Sequence, residues 1–258
     1  MNTTDSDIHG IRTAAADAGQ IRPTAGIIAA MDSEMKSLAA AMTSRREEKI
    51  YGLIFYSGML GGQPVVLVKC GIGKVNASRC AQILIDRYAP KGIINTGIAG
   101  GILPGLHIGD VVVASGLLQH DFDVSAFGHA KGYLCTGEND QEPTVFHSDA
   151  RLSDALSEAV ANLLGKERLR RGIIATGDQF ISSSDKKAAI HELFGAAAAE
   201  MEGCAIAQTA FLCGVPFAVV RTISDLADGT ASESYASFEE AAAKVSAEMV
   251  IQALLHMS

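Results

Sequence analysis

Glu34, Glu200, Glu202 and Asp225 are the groups whose type and placement in this chain could do chemistry. Glu34 lies just past the apolar run Gly26-Ile27-Ile28-Ala29-Ala30 and inside a helix start, where an acid ordinarily offsets the helix dipole. Glu200-Met201-Glu202 puts two carboxylates at the end of an alanine-rich run, and Asp225 follows Val219-Val220-Arg221-Thr222-Ile223-Ser224. Each acid alone would serve as a cap or a surface charge. Together, at strand ends of one sheet, they can converge on a cleft and divide general acid and base roles between them.

Other motifs carry less. Gly71-Ile72-Gly73-Lys74 lacks the third glycine of a dinucleotide fingerprint, and Val75 stands where a P-loop requires Ser or Thr. It reads either as a tight strand-to-helix turn or as close backbone approach to a small polar ligand, and Gly97 to Gly101 reads the same way. The histidines show no HExxH spacing, and His120-Asp121-Phe122-Asp123 has no third ligand beside it, so no metal is expected. Ser182-Ser183-Ser184 lacks a nucleophile-elbow context. The five cysteines are scattered without CxxC spacing, which suits a reducing compartment.

The elements that must position the acids follow from hydrophobic patterning. Strands are expected over 26–30, 53–59, 64–70, 92–96, 110–114, 172–176, 197–200 and 215–222, with 53–59 and 64–70 joined across Gly61-Gly62. Helices are expected from Ser33 through Met42 and over 76–88, 149–164, 203–213 and 238–257, and Gly97 to Gly101 reads as a loop. The stretch from Gln119 to Pro143 shows no periodicity. Strands and helices alternate with no linker or repeat. The pattern implies one α/β domain over residues 25–258, a largely parallel sheet flanked by helices, preceded by a flexible extension at 1–24. In such sheets ligands bind at the carboxyl ends of strands, where Ala30, Cys70, Thr96, Thr176, Glu200 and Thr222 lie.

Bulk properties exclude several classes. A net charge of −8 argues against nucleic acid as the main partner. No apolar run is long enough to span a bilayer, and Asp5, Asp7 and Asp17 do not suit a targeting peptide. A cytoplasmic location is expected.

At this point the residues carry a family resemblance. Ala29-Ala30-Met31-Asp32-Ser33-Glu34, Gly71 to Val75, Asn95 to Gly101, Asp123 to Gly128, Thr176 to Ile181, Glu200 to Gly203 and Arg221 to Asp225 resemble, in order, successive blocks of the methylthioadenosine/S-adenosylhomocysteine nucleosidases. The blocks span about residues 25 to 257. The resemblance implies a purine nucleoside phosphorylase-like fold with a twisted mixed, mostly parallel sheet, usually a homodimer, and N-glycosidic cleavage without cofactor or metal. It further implies that Glu34 activates water, Glu202 holds the ribose hydroxyls and Asp225 protonates the purine. Met201 and Arg221 would shape the ribose site, Ser224 would support Asp225, Phe180 with Ile181 would line the base pocket, and Ala30 would also bind substrate. Phe127 would reach the alkylthio pocket of the partner subunit, with Ile72 and Phe238 nearby.

Asn95 and Ile98 stand where related bacterial phosphorylases carry Arg and Ser, which removes a charge and a hydroxyl and favours water over phosphate as acceptor. The segment between Asp225 and Phe238 is slightly long for the family and is expected to cover the site as a mobile flap. The alternatives are a nucleosidase for another adenosine derivative such as aminodeoxyfutalosine, a phosphorylase of the same fold, and a non-catalytic nucleoside-binding protein.

Overall fold

The protein is described by a computed structural model covering residues 22–135 and 139–257. The extension expected over residues 1–24 thus lies outside the described residues up to Ile21. Pro23 and Thr24 already belong to the frame: Lys91 N–H donates to the Pro23 carbonyl at 3.0 Å and Thr24 N–H to that of Pro64 at 2.7 Å.

The first half runs β1 (Ala25–Ala29), α1 (Asp32–Ala41), β2 (Thr43–Ile50), β3 (Leu53–Leu60), β4 (Gln63–Lys69), α2 (Lys74–Tyr88), β5 (Ile93–Gly101) and β6 (Val111–Gln119). There follow β7 (Phe146–His147), α3 (Ala150–Leu164), β8 (Leu169–Thr176), α4 (Ser184–Phe194), β9 (Ala196–Glu200), α5 (Gly203–Leu212), β10 (Phe217–Asp225) and α6 (Ala231–Leu255). They form one mixed sheet. Parallel pairings join β4 to β1, β1 to β5, β5 to β10, β6 to β8 and β8 to β9. Antiparallel pairings join β10 to β6 and β9 to β5, so β5, β10, β6, β8 and β9 close into a ring. From β5 the sheet continues outward through β1, β4, β3 and β2.

Both faces of the central strands are buried, which explains their unbroken apolar runs. Ile28 on β1 packs towards α2 and α5 with Leu84, Cys204 and Ile206. Its neighbours Ile27 and Ala29 face α1, α3 and α6 through Leu38, Leu156 and Val250. Asp149 caps α3, its carboxylate accepting from Leu152 N–H at 2.9 Å.

Four elements depart from the expectation. The glycines 97–101 are not a loop but the second half of β5. Their lack of side chains serves close packing: a Cβ at Gly97 would sit 2.3 Å from Glu34 Oε1 and 2.5 Å from Arg221 Nη1. The strand β2 has a charged sequence and is mostly exposed, as an edge strand with water on both faces can be. Within α4, Ile190 is the buried residue, too little for an apolar stripe to show. Finally, the expected flap between Asp225 and Phe238 is helical from Ala231 onward. Asp228 organises that turn, accepting from Thr230 N–H at 2.9 Å and from Thr230 Oγ1 at 2.8 Å, so the chain enters α6 two turns before Phe238.

Candidate active site

The acids meet at the carboxyl ends of the ring strands. Glu34 is the third residue of α1, and Met31 before the helix brings no capping oxygen. The Glu34 carboxylate therefore turns back, its Oε2 accepting from Ala30 N–H at 2.7 Å and Met31 N–H at 3.0 Å. Its Oε1 accepts from Ile98 N–H at 3.2 Å. That donor is available because β5 pairs with β1 only as far as Asn95 and with β9 only from Gly100 on. Glu34 fills the gap between them. Burial raises its pKa, against the opposing pull of Arg221 and of the three backbone donors.

Arg221 stands at the centre, on β10, 1% exposed. Its Nη2 donates to Asn95 Oδ1 at 2.6 Å and to Glu200 Oε2, and lies 3.9 Å from Glu202 Oε2. Glu200 is fully engaged: Thr176 Oγ1 donates to Oε1, while Glu202 N–H at 3.0 Å and Gly203 N–H at 2.7 Å donate to Oε2. Glu202 accepts from Gly73 N–H at 2.8 Å. Its burial, followed by the charge of Glu200, lifts its pKa to about 7.

Asp225 ends β10. Ser224 Oγ and Ala227 N–H each donate to it at 2.9 Å, yet burial outweighs both and raises its pKa. A cleft beside it is lined by Phe180, Ile181, Met201, Glu200, Gln179 and Gly100 among others. The structure thus gathers Glu34, Ala30, Glu202, Met201, Arg221, Ser224, Asp225, Phe180 and Ile181 into one region.

Three expected residues stand apart. Ile72 is half-exposed in the turn before α2, and Phe127 is 81% exposed on a single 3-10 turn, Ser125–Phe127. Phe238 is on α6 and 44% exposed. The residue by which α6 meets the site is Tyr235, about one turn earlier. Its ring stands edge-on to Phe180 at 5.7 Å, and its hydroxyl donates to Met31 Sδ at 3.0 Å. Burial, then the charges of Glu239, Glu34 and Asp225, push its pKa up to about 12. Sequence reasoning missed Tyr235 and left Glu200 without a role. The signal for Tyr235 was its spacing from Phe238 along a helix predicted to begin too late. For Glu200 it was the burial of an acid beside a buried arginine.

Buried acids packed around one buried arginine, next to a lined cleft, suit an active site better than a docking surface. The family model described as the phosphorylase superfamily matches residues 24–255. A 5′-methylthioadenosine/S-adenosylhomocysteine nucleosidase of Actinobacillus succinogenes is 42% identical over 233 residues, 90% of this chain and 98% of the relative. The crystal structure of the same enzyme from Neisseria meningitidis, in complex with methylthio-immucillin-A, superposes with a TM-score of 0.84 at 37% identity, covering 91% of this chain and 99% of that one. A futalosine hydrolase of Helicobacter pylori also superposes, with a TM-score of 0.80 at 31% identity over 89% of this chain and 96% of that one. The chain belongs to the phosphorylase superfamily and, within it, to the 5′-methylthioadenosine/S-adenosylhomocysteine nucleosidases.

Proposed function

We propose that this chain hydrolyses the N-glycosidic bond of 5′-methylthioadenosine and S-adenosylhomocysteine, releasing adenine and the thioribose sugar. The observation that carries this reading is the charge balance around Arg221: three buried carboxylates, Glu34, Glu200 and Glu202, face one guanidinium. Such a surplus of negative charge suits an oxocarbenium-like ribose and opposes a phosphate dianion. Asn95, already bonded to Arg221 and to the Ile28 carbonyl, and the apolar Ile98 bring no cation to attract one.

In this mechanism Asp225, whose pKa burial raises, donates a proton to N7 of adenine as the base departs. Ser224 and the Ala227 N–H orient that carboxyl. Glu34 takes a proton from the attacking water while Glu202 accepts bonds from the ribose hydroxyls. Arg221 and Met201 shape the ribose wall, and Phe180, Ile181 and Tyr235 enclose the base. Charge on Glu34 and Glu202 stabilises the sugar cation as the bond breaks.

The protein further acts as a cytoplasmic homodimer in which Phe127 enters the alkylthio pocket of the second subunit, beside Ile72. The exposure of Phe127, Ile72, Val75, Phe211 and Leu212, large apolar side chains on one chain, supports this reading. No helix among the described residues is long and apolar enough to cross a membrane.

Incubation with each nucleoside in phosphate-free buffer tests the reaction, with adenine and free sugar as the expected products. A strict phosphate requirement with a sugar 1-phosphate product would show it to be wrong. The futalosine hydrolase likeness makes aminodeoxyfutalosine the comparison substrate, expected to turn over more slowly than the two thio-nucleosides.

A further inference from the structure

Lys74 opens α2, where its positive charge meets the positive end of the helix dipole. That placement costs stability unless something offsets it. Two carboxylates from distant loops do so. Lys74 Nζ pairs with Asp121 Oδ1 at 2.6 Å, and Lys74 N–H donates to Asp178 Oδ1 at 2.8 Å. Asp178 N–H in turn donates to Asp121 Oδ2 at 2.8 Å. The three residues close a ring of hydrogen bonds. Lys74 Nζ also donates to Gln119 Oε1 at 2.9 Å, tying the ring to the end of β6. The ion pair is shielded, with side chains only 19% and 14% exposed, so water weakens it less than a surface pair.

The ring joins three loops that follow β4, β6 and β8, and each loop carries a different part of the cleft. Next to Lys74 is Gly73, whose N–H donates to Glu202. Two residues beyond Asp178 is Phe180, in the wall of the cleft. Asp121 leads into the turn that bears Phe127. The proton-handling acids are held elsewhere: Glu34 by Ala30, Met31 and Ile98, Asp225 by Ser224 and Ala227.

We propose that Lys74, Asp121 and Asp178 are positioning residues that hold the ribose wall and the base wall of the cleft at their working separation without touching the substrate. The inference rests on the nucleosidase reading above. Loosening the ring lets Glu202 and Phe180 drift apart, so nucleoside binding weakens while Glu34 and Asp225 keep their geometry.

The test compares Lys74→Met, Lys74→Arg and Asp178→Ala with the wild type, following adenine release from methylthioadenosine together with thermal melting. Lys74→Met and Asp178→Ala should raise KM about tenfold or more with kcat held within about threefold, and Lys74→Arg should restore most of the loss. Asp178 is exposed, so its variant folds and decides the matter if Lys74→Met does not. An unchanged KM in Asp178→Ala, or a Lys74→Arg as impaired as Lys74→Met, overturns the proposal. A merely structural role would lower the melting temperature and leave KM in place. If the wild type releases no adenine, the nucleosidase reading fails. The ring is then judged by equilibrium dialysis of methylthioadenosine, where an Asp178→Ala affinity equal to wild type, or no binding by either, overturns it.

Discussion

Around Arg221 the acids are not equivalent, and the difference lies in their other partners. Glu200 has hydrogen bonds on both oxygens from Thr176, Glu202 N–H and Gly203 N–H, and it pairs directly with the guanidinium. Burial, followed by the charge of Glu200, outweighs the one backbone donor and the more distant arginine of Glu202 and lifts its pKa to about 7. Since this is above its ordinary value of 4.5, the neutral form stabilises the fold fully below 4.5, and that contribution is lost as pH rises through about 7. The ligand-free protein should therefore melt at progressively lower temperature between about pH 5 and pH 8, and Glu202→Gln should flatten that slope. Parallel melting curves for the two proteins would contradict this. In the proposed mechanism Asp225, whose pKa burial also raises, works as an acid only while protonated, so activity should fall as pH climbs past its pKa. Asp225→Asn should cut turnover by about 10³-fold while nucleoside binding persists, the range a lost general acid produces. Adenine release and binding on the same preparation check both halves.

At the level of elements, β5 is the strand that brings the acids together. Its glycines allow Glu34 to approach from one edge and Arg221 to cross above it. Gly97→Ala should fold but lose about 10²-fold in kcat/KM, because both side chains near the new methyl are buried and already bonded. A variant with near-normal kinetics would show that Glu34 and Arg221 can shift freely. The same strand shows where sequence reading runs out. Ile93 to Thr96 was legible as apolar β-structure, whereas Gly97 to Gly101 carries loop composition because contacts from other elements, not propensity, demand glycine there. The strands β1, β4 and β10, and the end of β8, were legible because they are buried on both faces there. The edge strand β2 and the exposed α4 were not, since solvation leaves no periodicity to read. In the site, Glu34, Glu202 and Asp225 were recognisable from their family blocks. Tyr235 was not, because its place depends on where α6 begins, and that is set by the short-range bonds of Asp228.

For the whole molecule, the proposed dimer is what completes the alkylthio end of the cleft. Phe127 is 81% exposed in one chain, where a large apolar ring gains by being covered by a second subunit. Light scattering behind gel filtration should give a mass of twice 26.9 kDa, and Phe127→Ala should raise KM for methylthioadenosine more than for adenosine. A monomeric mass with full activity would remove Phe127 from the site.

The gap in β5 pairing has a spectroscopic consequence. Ile98 N–H points at Glu34 instead of a neighbouring strand, so its amide resonance should move as that carboxylate gains or loses a proton. A nitrogen–proton correlation spectrum recorded against pH would then read the ionisation of Glu34 directly, in resting protein and without turnover. An Ile98 signal that stays still while Glu34→Gln shifts it would mean that the bond, not the charge, dominates its environment.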